Sequence, residues 1–260
     1  MIMRRTLPGV LAAACLLVAG TIDLAAQRGQ QGQPQARGQA AAPIDLTGTW
    51  VSVVTEDWRW RMVTPAKGDY PRVPLNPEGR KMADAWDLAR DVADGNLCRP
   101  FGAGNIMRMP GRLQVAWADP NTLKIDYDAG TQTRLLHFDK SLKPSGERTW
   151  QGWSAAEWEF AGGEGRGAAG AARTGTLKVV TTHMRAGYLR KNGVPYSEDM
   201  LMTEYFDRHA DFGDQWFTVM AIIEDPRYLS QPFVLTTSFK KEPDNSKFRP
   251  TPCAIDPPLK

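Results

Sequence analysis

The stretch from Asn121 to Asp128 alternates strictly. Leu123, Ile125 and Tyr127 interleave with Thr122, Lys124 and Asp126, Ala129-Gly130 turns the chain, and TQTRLLHF runs back from Thr131. In an extended chain successive side chains point to opposite faces, so such a run buries one face and wets the other. With the turn and the return that follow, it reads as a β-hairpin. Similar runs recur near 46–54, 113–118, 150–160, 176–184, 201–209, 215–224 and 233–240. Together these predict about nine strands with short connections, the spacing of a mainly β, antiparallel barrel or sandwich. One helix is expected near 76–92. Asn76-Pro77 supplies a cap and a first-turn proline, and Met82, Ala85, Trp86, Ala89 and Val92 recur at helical spacing before Asp94-Gly95.

The first 43 residues are of a different kind. Arg4 and Arg5 precede an apolar stretch that reaches Ala26, the pattern of a secretory signal peptide over 1–26. Pro8, Gly20 and Asp23 interrupt it too often for a spanning helix, and the apolar run past Cys15 argues against a lipoprotein. Residues 27–43 (QRGQQGQPQARGQAAAP) carry no large apolar side chain and read as a disordered Gln/Gly/Ala linker. That leaves 44–260 as one β-barrel domain with a proline-rich tail, in a periplasmic or secreted protein with no stable membrane insertion after signal removal. Of three cysteines, Cys15 leaves with the signal. An oxidising compartment then favours a Cys98–Cys253 disulfide over two separate thiols.

Composition narrows the function classes. Thirty-two bases against 29 acids, a formal charge of +3, is too balanced for a nucleic-acid binder. The three histidines, His137, His183 and His209, fall on three different expected strands without HxH or HExxH spacing, so no metal is expected. No GxSxG elbow is present, and the glycine run at 161–175 lacks the Gly-Lys-Ser/Thr ending of a phosphate loop. It reads as a mobile surface loop, and no cofactor is called for. More informative are polar residues inside apolar strands. By period two, Arg134 shares a face with Leu136 and Phe138, Glu204 with Met202 and Phe206, and His183 with Leu177 and Val179. Turned inward, they would orient a ligand or serve as acid and base; the plainer alternative is a structural Arg134–Glu204 ion pair. The segment 185–198 turns at Asn192-Gly193 between Tyr188 and Tyr196, and reads either as a lid over a barrel mouth or as a polar hairpin tip. The alternation Trp58-Arg59-Trp60-Arg61 would set tryptophans and arginines on opposite faces of an extended segment.

Two resemblances add to this. Thr47-Gly48-Thr49-Trp50 resembles the Gly-x-Trp opening of lipocalin-type barrels, in which the Trp closes the barrel floor. From about Asp45 to Lys241 the chain also resembles a large family of exported bacterial β-barrel proteins, most of them uncharacterised. The matching pieces include Leu75-Asn-Pro-Glu-Gly79, Cys98-Arg-Pro100, Arg134, Trp158-Glu159, Thr176-Leu177, Asn192-Gly193, Glu204 and Ile223-Glu-Asp-Pro226. The resemblance implies a lipocalin/calycin-like, up-and-down antiparallel barrel and a small-molecule ligand, without a settled reaction. Many members carry a His where this chain has Trp153, so an acid–base role for that His does not transfer, and the long 161–175 insertion is also a departure. The first expectation is a binder of a small hydrophobic or aromatic molecule in a barrel cavity, with Arg134, Tyr188, Tyr205, Trp117, Trp158 and Arg185 as ligand-binding residues. The alternatives are a cofactor-independent lyase, isomerase or hydratase using His183 or Glu204, and a structural envelope protein with a filled core.

Overall fold

The computed structural model describes residues 37–161 and 174–258. The expected signal peptide, most of the expected linker and the core of the glycine-rich loop lie outside these residues. Eleven strands are present among them: β1 Gly48–Val53, β2 Arg112–Asp119, β3 Thr122–Tyr127, β4 Gln132–His137, β5 Trp153–Phe160, β6 Gly175–Thr182, β7 Gly187–Tyr188, β8 Pro195–Tyr196, β9 Leu201–Asp211, β10 Asp214–Glu224 and β11 Phe233–Lys241. Nine of them close into a barrel in the order β1-β11-β10-β9-β6-β5-β4-β3-β2, and β7 and β8 pair separately as a short hairpin. The nine barrel strands fall on the nine alternating runs of the sequence.

Strand direction differs from a purely antiparallel barrel at one seam. β4 and β5 pair in parallel, Leu136 opposite Ser154 and His137 opposite Ala155. Residues 138–152 carry the chain back to the end where β4 began, which a tight hairpin cannot do. This return passes over the outside of β5 and β6. Lys140 reaches Glu157 at 2.9 Å, and the Gly146 carbonyl lies 3.0 Å from His183 Nε2.

Alternation fills the barrel. Leu123, Ile125, Leu136, Leu177, Phe206, Phe217 and Phe239 are all buried in one cluster with Trp50. The Trp50 indole N–H donates to the Leu46 carbonyl at 2.9 Å, and its ring meets Phe217 edge-on at 4.7 Å. At the end where β1 finishes, the short helix α4 Ala103–Ile106 and the residues after it enter the same cluster, and Tyr127 donates to the Met107 sulfur at 3.0 Å. At the opposite end, residues 38–41 form a 3-10 turn held by Gln39 N–H on the Pro120 carbonyl and by the Trp158 indole on Gly38 O. The expected linker is thus partly built into the domain. Its small residues suit this, since a Cβ at Gly38 would run into the Pro120 carbonyl.

A second apolar cluster caps the first. Tyr70, Val73, Ala83, Met184, Leu189, Val194 and Tyr196 pack on Met202, Ile223, Phe233 and Leu235, which line one rim of the barrel. The cap carries three further helices: α1 Trp58–Met62, α2 Pro77–Asp84 and α3 Leu88–Ala93. Asn76 caps α2 as the sequence predicts, accepting from Gly79 N–H at 2.8 Å. The single helix expected over 76–92 is instead two. The Asp87 carboxylate takes the backbone N–H groups of Ala89 and Arg90 and starts a new helix there. The 58–61 alternation is likewise helical, so its tryptophans do not share a face: Trp58 is 64% exposed while Arg61 is only 3% exposed. No helix among the described residues is long and apolar enough to cross a membrane.

Cys98 and Cys253 are joined, tying the tail to the cap across a sequence separation of 155 residues. Closing so long a loop restricts the unfolded chain strongly, so Cys98→Ser is expected to lower stability by about 2–4 kcal/mol in urea unfolding. An unchanged midpoint would show that the bond contributes nothing.

Candidate functional site

Arg134 and Glu204 meet inside the barrel, both at most 1% exposed. They come from β4 and β9, which are not neighbours, and the partners between them come from β5 and β6. Arg134 Nη1 donates to Glu204 Oε1 at 3.1 Å, and Nη2 donates to both Glu204 Oε2 and Thr181 Oγ1. Arg134 Nε donates to Ser154 Oγ at 3.2 Å, which itself bonds Thr181 Oγ1 at 2.8 Å. Burial works against the guanidinium charge, but Glu204 and the adjacent Tyr127 more than offset it and hold Arg134 above its usual range. The network therefore satisfies itself within the protein.

The other expected site residues lie elsewhere. β6 ends at Thr182, and His183 adopts a left-handed φ of 59°, which breaks the period and brings its ring to the Gly146 carbonyl on the outer return. Tyr205 points away from Glu204 and stands opposite Lys178 and Met220. Trp117 and Trp158 both pack on Phe138, with ring centres 5.4 and 5.2 Å away. Arg185 is exposed and stacks on Trp150 at 4.2 Å. Among the described residues no group of three His, Cys, Asp or Glu side chains could hold a metal ion.

Tyr188 is the exception. The β7–β8 hairpin lays it against α3, and the two form a cleft of about 200 Å³ lined by Trp86, Asp91, Arg99, Tyr188, Tyr196 and Tyr228. Asp91, 3% exposed, is its polar centre. It accepts from the Trp86 indole at 3.0 Å, from Arg99 Nη1 at 2.9 Å and from the Tyr188 hydroxyl at 2.9 Å. Arg99 also donates to the Tyr188 oxygen at 3.0 Å. Burial pushes the Tyr188 phenol up to about 12, so at neutral pH it stays protonated and acts as a donor. No protein-family model, curated protein or solved structure matches the chain. Its chemistry is therefore read from the site alone.

A larger trough of about 420 Å³ lies under the outer return, between Leu142, Pro144, Trp153 and Val180. His137 stacks on Trp153 there at 4.0 Å, and burial holds its imidazole below the ordinary range. The polar groups around it are mainly the solvent-exposed Lys140 and Lys143 and the half-buried Glu157, which is paired with Lys140 and Lys178. The cap cleft differs in offering aromatic walls around a buried polar centre, the usual makeup of a small-molecule site. Of the residues that build it, sequence reading names only Tyr188 as a ligand-binding residue; Trp86 enters it through helical spacing, Tyr196 and Gly193 through the turn, and Arg99 within Cys98-Arg-Pro100. Asp91 looks like an ordinary surface charge in the sequence.

Proposed function

We propose that the protein is an exported, lipocalin-like barrel that binds a small aromatic or hydrophobic molecule, held at the capped end. The observation that carries this reading is the cleft in which Trp86, Tyr188 and Tyr228 surround the Asp91–Arg99 pair. The flat rings offer stacking area, and the pair fixes a polar edge of the ligand. The Cys98–Cys253 bond supports export, because such bonds persist in oxidising compartments. An acid–base enzyme has less support, since Glu204 is engaged by Arg134 and His183 stands apart from it.

The test is native mass spectrometry of the protein purified from the envelope or medium of its host. Wild type is expected to carry a bound small molecule, and Tyr188→Ala to lose it at unchanged circular dichroism, with affinity down about 10-fold or more for loss of a stacking ring. Retention of the molecule by Tyr188→Ala overturns the placement, and its chemical conversion on incubation overturns the binder reading.

A further inference from the structure

On the other side of the same hairpin, the turn from Arg190 to Gly193 lies over helix α1. The Arg190 guanidinium sits 5.1 Å from the Trp60 ring centre, and its Nη2 donates to the Pro71 carbonyl at 2.8 Å. Asn192 clamps the turn to the same segment, donating to the carbonyls of Ala66 and Asp69. Arg61, next to Trp60, donates Nε to the Arg108 carbonyl at 3.0 Å and Nη1 to Glu56 at 2.9 Å. Arg61 and Arg190 are 3% and 5% exposed.

Three buried donors here find no acceptor among the described residues: Arg61 Nη2, Arg190 Nη1 and the Trp60 indole Nε1. A guanidinium has donors only and keeps its charge, and burying one without a counter-charge is costly. The nearby carboxylates are already engaged: Glu56 by Arg61, Asp57 by Arg72 and Arg108, and Asp69 by Arg59. Arg190 has no carboxylate within ion-pair distance among the described residues, and Arg108 and Arg72 add to the positive charge around it. Burial, with Arg108 near both and Arg72 near Arg190, depresses Arg61 and Arg190 to about 10, still charged at neutral pH.

We propose that helix α1 and the Arg190–Gly193 turn enclose a binding site for a small oxyanion, a carboxylate or a phosphate, gripped by Arg190 and Arg61 with the Trp60 N–H as a third donor. Such an anion supplies the missing acceptors and the missing negative charge together, through charge-assisted hydrogen bonds. Thr64 and Asn192 each keep a buried unpaired oxygen in the same segments. An unpaired amide oxygen such as that of Asn192 is able to accept from a hydroxyl, so a hydroxyacid is expected to bind more tightly than acetate. This site is separate from the Tyr188 cleft and does not depend on it.

The experiment is thermal unfolding and tryptophan fluorescence of the full exported chain, with sodium phosphate, acetate or lactate replacing sodium chloride at constant ionic strength. Wild type should show a saturable rise in Tm, roughly 5–10 °C at a hundred times the midpoint concentration, and a fluorescence change with the same midpoint. The anion with the lowest midpoint names the ligand class. Arg190→Gln should abolish the saturable rise, while Arg190→Lys should keep it at a midpoint about 10-fold higher, because an ammonium lacks the planar fork. Trp60→Phe should lose the fluorescence change and keep the fold, which decides the matter if Arg190→Gln does not fold. Tyr188→Ala should respond as wild type does. A rise that never saturates, or one that Arg190→Gln shares, overturns the site.

Discussion

Glu204→Gln is expected to destabilise the protein by about 3–5 kcal/mol, the cost of leaving a buried guanidinium without its counter-charge. Arg134 donates two of its hydrogen bonds to this carboxylate, and both side chains are closed off from water. The amide keeps the shape and one acceptor but removes the charge and turns an NH2 group toward a side chain that can only donate. The double variant Arg134→Met, Glu204→Leu removes both charges. It should lie near wild type or above it, since buried ion pairs rarely outperform apolar residues of similar volume. It also leaves Thr181 and Ser154 hydrogen-bonded to each other. Urea unfolding of the four corners of this cycle gives the coupling directly. If the single variant costs under 1 kcal/mol, the pair does not hold the barrel together. Because the network is self-satisfied, the double variant should still retain the molecule proposed for the cap cleft, which separates a structural role for the pair from an anchoring one.

That the two residues would share the interior follows from parity alone. Arg134 alternates in phase with Leu136, and Glu204 with Met202 and Phe206, and all five are buried. Parity is a local property of a strand, so it survives folding wherever the strand is regular. It fails for His183 because a non-glycine residue takes a left-handed φ at the strand end, and nothing in TLKVVTTHM marks that. The direction of β5 is invisible for a related reason: a period of two is the same read forward or backward, and only the length of the 138–152 return hints at a crossover. The cap was the least legible part. Its contacts join residues far apart in the chain, such as Arg190 with the Pro71 carbonyl across 119 positions and Tyr188 with Asp91 across 97. Neither half of such a contact looks unusual beside its own neighbours.

Gly193→Ala should separate the cap from the barrel. Gly193 holds a left-handed φ of 80°, and a Cβ there would overlap Cβ and Cγ of Trp86. The Trp86 ring has little freedom to move aside, since its indole N–H is tied to Asp91 and its side chain is buried at 5% exposure. Alanine in a left-handed conformation costs about 1–2 kcal/mol, and overpacking a closed contact about 1–3 more. A fall in Tm of roughly 4–20 °C follows for a domain of this size. Gly213→Ala is the control. It has a nearly identical φ of 78° but no atom within 4 Å of the added methyl, so it should show only the backbone part. The excess at Gly193 therefore measures the fit of the turn against Trp86. That same turn carries Arg190 and Asn192 on one side and continues into Tyr188 on the other, so Gly193→Ala should weaken both the oxyanion response and ligand retention, whereas Gly213→Ala should leave both intact. Equal effects of the two substitutions on Tm and binding would mean that the hairpin tip is free of the helices beneath it, and that neither site depends on how the cap closes.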